Sequence, residues 1–389
     1  MDTTTALRTF TDFFADRGHR LISGGTLIPP DDDPVLYVTA GMHPLTPYLL
    51  GEPHPAGRRL AGVQRCLRTT DLDEIGDATH LTVFQMLGSW SLGDYDGRQS
   101  LRWGLELIRD GFGLDPGRLH ATAFGGDGQT GPDTAAIETW SQLGLPVELT
   151  TADNWWSNGP TGPCGPDSEI FVWTGDEPPS GTPGTDGRWM ELWNHVTMIF
   201  RRHEDGRLEP LRQRSVDTGM GLERLMMVLQ EQPTVFGTDL FEPWMSVLPA
   251  LWPSPERQLR LVCDHLRSAV VVAGDGVRPS ATGRGYVLRR LVRRALTELW
   301  QEDGSRTLAD LPPVLVPGTL DWFGQPAEPV AVTGVLLAEE RRFGLLLARG
   351  RSVLQRLYPT GQLTENDYRY LHETHGLPRE VVAGLAAQR

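Results

Sequence analysis

The stretch SVDTGMGLERL, residues 215–225, decides the fold class of this chain. Its first half has the pattern of a strand and its second half begins a helix. Gly219 and Gly221 permit a tight strand-to-helix turn and a close ligand approach. Arg224 follows in the first helical turn, where a guanidinium and the positive end of the helix together suit a phosphate. A bare GLER more often marks a surface helix with a Glu–Arg pair, so the longer string is needed to favour the phosphate site.

Strand and helix patterns surround this stretch. Residues 84–95, FQMLGSWSLGDY, and 189–200, WMELWNHVTMIF, are strand-like, and residues 98–108 are helical. Residues 21–50, with short apolar runs such as VLYVTAG, suggest strands and loops. Residues 158–169, NGPTGPCGPDSE, are too rich in glycine and proline for a helix and predict a shaped loop. The first helix is expected over residues 5–17, ending at Gly18, with one apolar face formed by Leu7, Phe10, Phe13 and Phe14.

Long helical patterns replace the strands after about residue 257. Residues 259–274 and 285–300 are both predicted helices, and a polar connector at 301–330 precedes a final helical segment. Mixed strands closed by helices predict an α+β domain, residues 1–245, followed by an all-α domain, residues 246–389.

Composition excludes several classes of chemistry. All 36 basic residues are arginine, so a Schiff-base lysine and a P-loop lysine are impossible, and phosphate binding must use arginine, backbone amides or metal. The net charge of -14 gives no general attraction to nucleic acid, although a local basic patch remains compatible with it.

Cysteine usage and hydropathy predict a reduced, cytoplasmic protein. The three cysteines, Cys66, Cys164 and Cys263, lie far apart and have neither disulfide-framework nor zinc-site spacing. No apolar stretch reaches the roughly 20 residues of a membrane span, and the first residues lack the pattern of a secretory signal. We therefore expect no membrane partner.

SVDTGMGLERL resembles the third signature motif of the class II alanyl-tRNA synthetases. The resemblance implies their fold, an antiparallel sheet flanked by helices, and their activation of L-alanine with ATP to alanyl-AMP. In that family the arginine, here Arg224, packs against adenine and the terminal phosphate of ATP. The aspartate, here Asp217, holds the alanine ammonium group, and Gly219 lies in the same alanine site.

Residues 63–76, VQRCLRTTDLDEIG, with residues 80–95, HLTVFQMLGSWSLGDY, resemble the family's strand-loop-strand motif. The matching arginine is Arg68, which is expected to grip the α-phosphate and the alanine carboxylate. His80 is expected at the ATP site by the same resemblance. Viewed alone, Arg68 reads better as a solvated arginine at a strand end.

Residues 153–170, DNWWSNGPTGPCGPDSEI, resemble the family's DNFWxMGxTGPCGPCxEI loop, whose tryptophan, here Trp156, walls the amino-acid pocket. Residues 190–200 resemble its EIWNxVFMQ strand. By this resemblance, Val196 is expected to limit the size of the amino-acid pocket. The resemblance also assigns Glu191 and Asn194 to ATP and its Mg²⁺.

Residues 263–295 resemble the start of the family's helical tRNA-recognition domain. Four of its arginines repeat at i, i+4 spacing on one predicted helix face. This face suits an acceptor stem, and pairing with acidic residues of the catalytic domain is an equally good interpretation. The candidate acceptor contacts are Arg284, Arg289, Arg290, Arg293 and Arg294.

Departures from the family bear on the acceptor. Residues 69–75, TTDLDEI, are shorter than the family's segment containing GGKHND, and PSATGRGY replaces PSNEGRGY, so that Ala281 and Thr282 occupy the asparagine and glutamate positions. The sequence ends at Arg389, before the editing and C-terminal domains, and has no HxxxH zinc-editing pattern. A truncated paralogue is expected.

These departures favour transfer of alanine to a metabolite or a carrier protein. The alternatives are a minimal tRNA-charging enzyme and a catalytically inactive binding module that senses alanine, adenylate or tRNA. Retention of Arg68, Glu191, Asp217 and Arg224 argues against the inactive module.

Overall fold

The computed structural model describes residues 1–30, 35–70, 72–359, 362–375 and 377–387. It divides the chain into two compact units, Met1–Leu248 and Pro249–Arg389. The first unit is built on one large sheet and the second on helices, so the predicted α+β fold with a following helical region is confirmed.

The sheet of the first unit runs in the order β1-β2-β3-β9-β8-β7-β4-β5, with β6 paired to β7. Its central pairs are antiparallel, as predicted, whereas β1 with β2 and β4 with β5 are parallel. The strands are β1 (Arg20–Ile22), β2 (Arg59–Leu67), β3 (Val83–Ser91), β4 (Leu119–Phe124), β5 (Val147–Thr150), β6 (Trp155–Ser157), β7 (Gly162–Trp173), β8 (Trp189–Arg202) and β9 (Leu208–Gly221).

Helices pack beside this sheet and bury their apolar faces. The predicted first helix is confirmed, with Phe10 and Phe14 buried and Gly18 at φ +79° after its end, a conformation that glycine adopts without strain. Asp2 caps it by accepting a hydrogen bond from the Thr5 amide at 2.7 Å. The helices up to the unit boundary are α1 (Thr3–Ala15), α2 (Thr46–Leu49), α3 (Gly97–Glu106), α4 (Thr134–Leu143), α5 (Leu222–Leu229), α6 (Glu242–Met245) and α7 (Leu248–Leu251).

The prediction of a loop over residues 158–169 is wrong, because residues 162–169 belong to β7. The pairing of β7 with β8 is irregular between Cys164 and Asp167, so Pro166 lies where the hydrogen-bond ladder is already interrupted. Gly165 is required there for space: a Cβ at that position would lie 1.9 Å from the Thr197 carbonyl oxygen. Glycine and proline therefore mark a bulge inside a strand here.

Two other expectations from glycine and proline content fail locally. The run VLYVTAG, residues 35–41, forms bends, and residues 46–49 form a helix where strands and loops were expected. The connector at 301–330 contains a helix, Leu315–Trp322, whose Leu320 is buried.

The second unit contains helices and no strand among its described residues. Both long helices predicted at its start are confirmed. Its elements are α8 (Glu256–Gly274), α9 (Gly283–Glu302), α10 (Leu315–Trp322), α11 (Pro329–Leu357), α12 (Glu365–His375) and α13 (Arg379–Ala387). Across the described ranges, no helix combines the length and apolar character needed to cross a membrane.

Candidate active site

Strand register brings four of the candidate residues to one face of the sheet. Asp217 on β9 pairs with Val196 on β8, and Gly219 pairs with Asn194 two positions along. Directly paired residues share a face, and so do residues two apart on one strand. The alanine and magnesium candidates of β8 and β9 therefore form one continuous surface.

Asp217 is the buried carboxylate of this surface, with 6% of the residue exposed. Its Oδ1 accepts a hydrogen bond from the Trp90 indole Nε1 at 2.7 Å. Burial raises the pKa of Asp217 to about 7, against the lowering effect of that hydrogen bond. No other donor in the described ranges bonds to this carboxylate, which leaves Oδ2 for a ligand cation.

An apolar cluster lies next to Asp217 and includes Val196, which is expected to limit the size of the amino-acid pocket. Val196 and Trp90 are both buried members of the cluster, and Trp156 on β6 packs against it while remaining partly exposed. A Cβ on Gly219 would come within 2.7 Å of the Met86 sulfur. Neither Gly219 nor Gly221 has a positive φ, so glycine provides space at 219 rather than an unusual turn.

The Arg224 side chain contacts Glu191 on β8 and does not pair with its helix neighbour Glu223. Its Nη1 donates to both the main-chain oxygen and Oε2 of Glu191 at 3.2 Å. Glu223 is 1% exposed and accepts the Gln85 amide through both carboxylate oxygens. The alternative of a surface Glu–Arg pair is therefore wrong, and the two side chains leave the helix on different sides.

Two carboxylates beside Glu191 and Asn194 were missed by the motif comparison. Asp167 and Glu169 alternate on β7, and Glu169 pairs with Asn194. Burial, followed by repulsion from Glu191 and Asp167, raises the pKa of Glu169, and burial raises that of Asp167 to about 7. Their alternation inside the quoted motif was the available signal, but the prediction of a loop concealed it.

Asn194 joins this acidic group through its amide. Its Nδ2 donates to Asp167 Oδ2 at 3.3 Å, whereas its buried Oδ1 has no hydrogen-bond partner among the described residues. Amide and carboxylate oxygens are the donors that a hard divalent cation prefers. The donor types of Glu191 and Asn194 therefore suit Mg²⁺, whereas a metal site at these residues, with Glu169 as an additional candidate ligand, stays a prediction.

Arg68 is the first residue after β2, and its side chain is exposed. Its Nε donates to the Thr39 carbonyl oxygen at 3.1 Å, and its Cζ lies 5.2 Å from the centre of the Phe84 ring. The two contacts orient the guanidinium, and neither Nη group bonds to a residue that the structure describes. Arg68 differs in this respect from a freely solvated arginine at a strand end.

His80 follows the shortened segment at 69–75 and lies between two carboxylates. Its Nδ1 is 2.6 Å from Asp77 Oδ2 and its Nε2 is 3.3 Å from Glu74 Oε2. Asp77 Oδ1 also accepts the amides of Thr79 and His80. His80 is therefore held by its own turn, and contact with ATP stays a prediction.

The helical arginines do not form one uniform face. Arg293 is half-buried and pairs with Glu339 on α11 at 2.7 Å, so it is engaged within the second unit. Arg290 is exposed, and Arg289 lies over the Tyr286 ring. Neither Arg289 nor Arg290 forms an ion pair with a described residue, whereas Arg284 and Arg294 both have partners.

Comparison with known proteins agrees with the resemblance in the motifs. The family described as tRNA synthetases class II (A) matches residues 6–389. An alanine–tRNA ligase of Treponema pallidum is 41% identical over 97% of this chain and 67% of its own length. Those of Treponema denticola and Rubrobacter xylanophilus are 44% and 37% identical, covering 74% and 98% of this chain but 51% and 47% of their own lengths. The chain thus spans about half to two thirds of these relatives.

Proposed function

This chain belongs to the tRNA synthetases of class II (A), and on that premise we propose that it activates L-alanine with ATP and transfers the alanyl group to tRNA. The observation that carries the proposal is Asp217, a buried carboxylate whose Oδ1 accepts a hydrogen bond from Trp90 and whose Oδ2 has no donor among the described residues. A fixed, largely desolvated anion suits the ammonium group of a free amino acid.

The neighbours of Asp217 support a small amino acid. Val196 pairs with Asp217 across β8 and β9, and Trp156 packs on the same apolar cluster. We expect this packing to exclude amino acids with large side chains. A pocket of this kind discriminates weakly among very small side chains, so glycine and serine are the expected competitors of alanine.

Two arginines support binding and activation of ATP. The Nη groups of Arg68, which bond to no residue that the structure describes, suit two oxygens, one from the alanine carboxylate and one from the α-phosphate. The carboxylate oxygen then attacks the α-phosphorus, the bond to the leaving oxygen breaks, and pyrophosphate departs. Positive charge at Arg68 stabilises the charge that develops on phosphorus oxygens, while Arg224 binds the adenine and terminal phosphate.

Glu191 and Asn194 would hold Mg²⁺ on the ATP, with Glu169 beside them. When bound, the ion neutralises phosphate charge. Glu191 also accepts the hydrogen bond of Arg224, so it orients the guanidinium expected at ATP. The excess of carboxylates over guanidinium groups here supports a requirement for a divalent cation.

The acceptor we propose is tRNA. The relatives compared are all alanine–tRNA ligases, and the sequence-based preference for a small-molecule or carrier acceptor finds no support among them. Arg289 and Arg290 on α9 are the best candidates for phosphate contacts, whereas Arg293 is withdrawn from that role by Glu339. A small acceptor is the second candidate, favoured by the short segment at 69–75 and by Ala281 and Thr282.

Two assays test the proposal in sequence. Alanine-dependent exchange of labelled pyrophosphate into ATP tests activation, and failure with alanine, glycine and serine alike would exclude it. Charging of tRNA with labelled alanine tests the acceptor. Charging should weaken steeply as salt increases, because phosphate contacts release counterions. Active exchange without charging would reject tRNA and favour the small acceptor.

A further inference from the structure

Trp90 on β3 is buried beside the proposed ammonium site and has a fixed ring position. Trp90 is 1% exposed and pairs with Asp217 across β3 and β9. Its ring lies over Gly88, where a Cβ would be 2.2 Å from the Trp90 Cζ2 atom. A Cβ on Gly41 would lie 3.2 Å from the same atom. The ring is thus confined between two glycines, and an alanine at Gly88 would overlap it.

The confined ring presents its only donor to the carboxylate. Trp90 Nε1 donates to Asp217 Oδ1 at 2.7 Å, a contact between residues 127 positions apart in sequence. Hydrogen bonds to an ionised acceptor are short and strong, and this one restrains the orientation of the carboxylate and favours its charged form. With Oδ1 engaged, Oδ2 is the oxygen left to meet a substrate.

Few other groups influence this carboxylate. Val196, its partner on β8, is apolar. Among the described residues, the titratable groups that interact with Asp217 are Cys66 on β2 and Tyr95 after β3. Burial raises the pKa of both, so neither is charged near pH 7. The hydrogen bond from Trp90 opposes the effect of burial, which raises the pKa of Asp217 to about 7.

We propose that Trp90 is a positioning residue for amino-acid recognition, acting through Asp217: its indole N–H orients the carboxylate that binds the substrate ammonium group. This role rests on the proposed function, because it presumes that Asp217 meets an amino acid. Trp90 touches no reacting atom. Its effect falls on amino-acid affinity and on the pH at which that affinity develops.

Trp90→Phe tests the role by removing the N–H while keeping an aromatic ring. In alanine-dependent pyrophosphate exchange, we expect the KM for alanine at pH 7 to rise by about tenfold, the scale of one charge-assisted hydrogen bond. The KM for ATP should stay within about twofold, since ATP meets other residues. The midpoint of kcat/KM for alanine against pH should move to higher pH, because the carboxylate loses a donor that favours its charged form.

Trp193→Phe is the matched control. Trp193 is a fully buried tryptophan on β8 that packs against Phe10 and Phe14, and its Nε1 has no hydrogen-bond partner among the described residues. Trp193→Phe removes the same atoms as Trp90→Phe, but it breaks no hydrogen bond to a carboxylate among the described residues. Its KM for alanine and its pH midpoint should match those of the unmodified chain, whatever its melting temperature.

Gly88→Ala provides a second variant that retains both Trp90 and Asp217 but displaces the ring, and it should shift the pH midpoint in the same direction. An unchanged KM and midpoint in a folded Trp90→Phe or Gly88→Ala protein would overturn the positioning role while leaving alanine activation intact. Absence of exchange in the unmodified chain would instead overturn the proposed function, and the role of Trp90 with it.

Discussion

Replacing Asp217 by asparagine should affect activity and stability in opposite directions. Asparagine keeps the shape and still accepts the Trp90 hydrogen bond, but it removes the buried charge. Removing one partner of a buried charge pair costs roughly 3–5 kcal/mol, so kcat/KM for alanine should fall by a factor of about 150 to 5000. The substrate ammonium would be left without its counter-charge.

The free protein should gain stability from the same change. A pKa of about 7 in place of 3.8 means that ionising Asp217 in the folded protein costs up to about 4 kcal/mol. Because the folded-state pKa is raised, this cost is absent below pH 4, grows as pH rises towards 7 and is complete above it. Asp217→Asn should therefore melt several degrees higher at pH 8 and at nearly the same temperature at pH 4.

Pyrophosphate exchange and thermal melts at both pH values measure the two effects. Asp205→Asn, a change in the exposed turn between β8 and β9, is the control and should alter neither. In the unmodified chain, the KM for alanine should fall as pH rises through about 7. Unchanged exchange kinetics in Asp217→Asn would refute the ammonium contact, and a lower melting temperature at pH 8 would refute the buried, destabilising charge.

Three further substitutions test other parts of the site and fold. Arg224→Lys should raise the KM for ATP about tenfold by removing the planar fork, with little effect on the KM for alanine; an unchanged KM for ATP would exclude Arg224 from the nucleotide site. Glu191→Gln should raise the Mg²⁺ concentration needed for half-maximal exchange by about tenfold. An unaltered Mg²⁺ titration would show that Glu191 does not bind the ion. Gly165→Ala should lower the free energy of unfolding by about 1–3 kcal/mol in a denaturant titration because of its overlap with Thr197; Gly128→Ala, which has open space around it, should not.

Much of the fold was predictable because its signals are local. The apolar period of α1, the strand-like runs of β3 and β8 and the helical period of α5, α8 and α9 each lie within one continuous segment. The prolines of β7 misled because proline disfavours strands in general, whereas here Pro166 coincides with an irregularity in strand pairing. That irregularity depends on the neighbouring strand and leaves no clear trace in the segment itself.

The sequence by itself determined which chemistry-bearing residues the chain has: its family motifs, the absence of lysine and the placement of Asp217 and Arg224 at the end of one strand and the start of one helix. The tertiary structure alone decided how these residues meet. The contacts of Trp90 with Asp217, of Glu169 with Asn194 and of Arg293 with Glu339 join residues from different elements. Their physical basis is strand register and helix packing, since a shift of one residue in register would turn each of these strand side chains to the opposite face of the sheet.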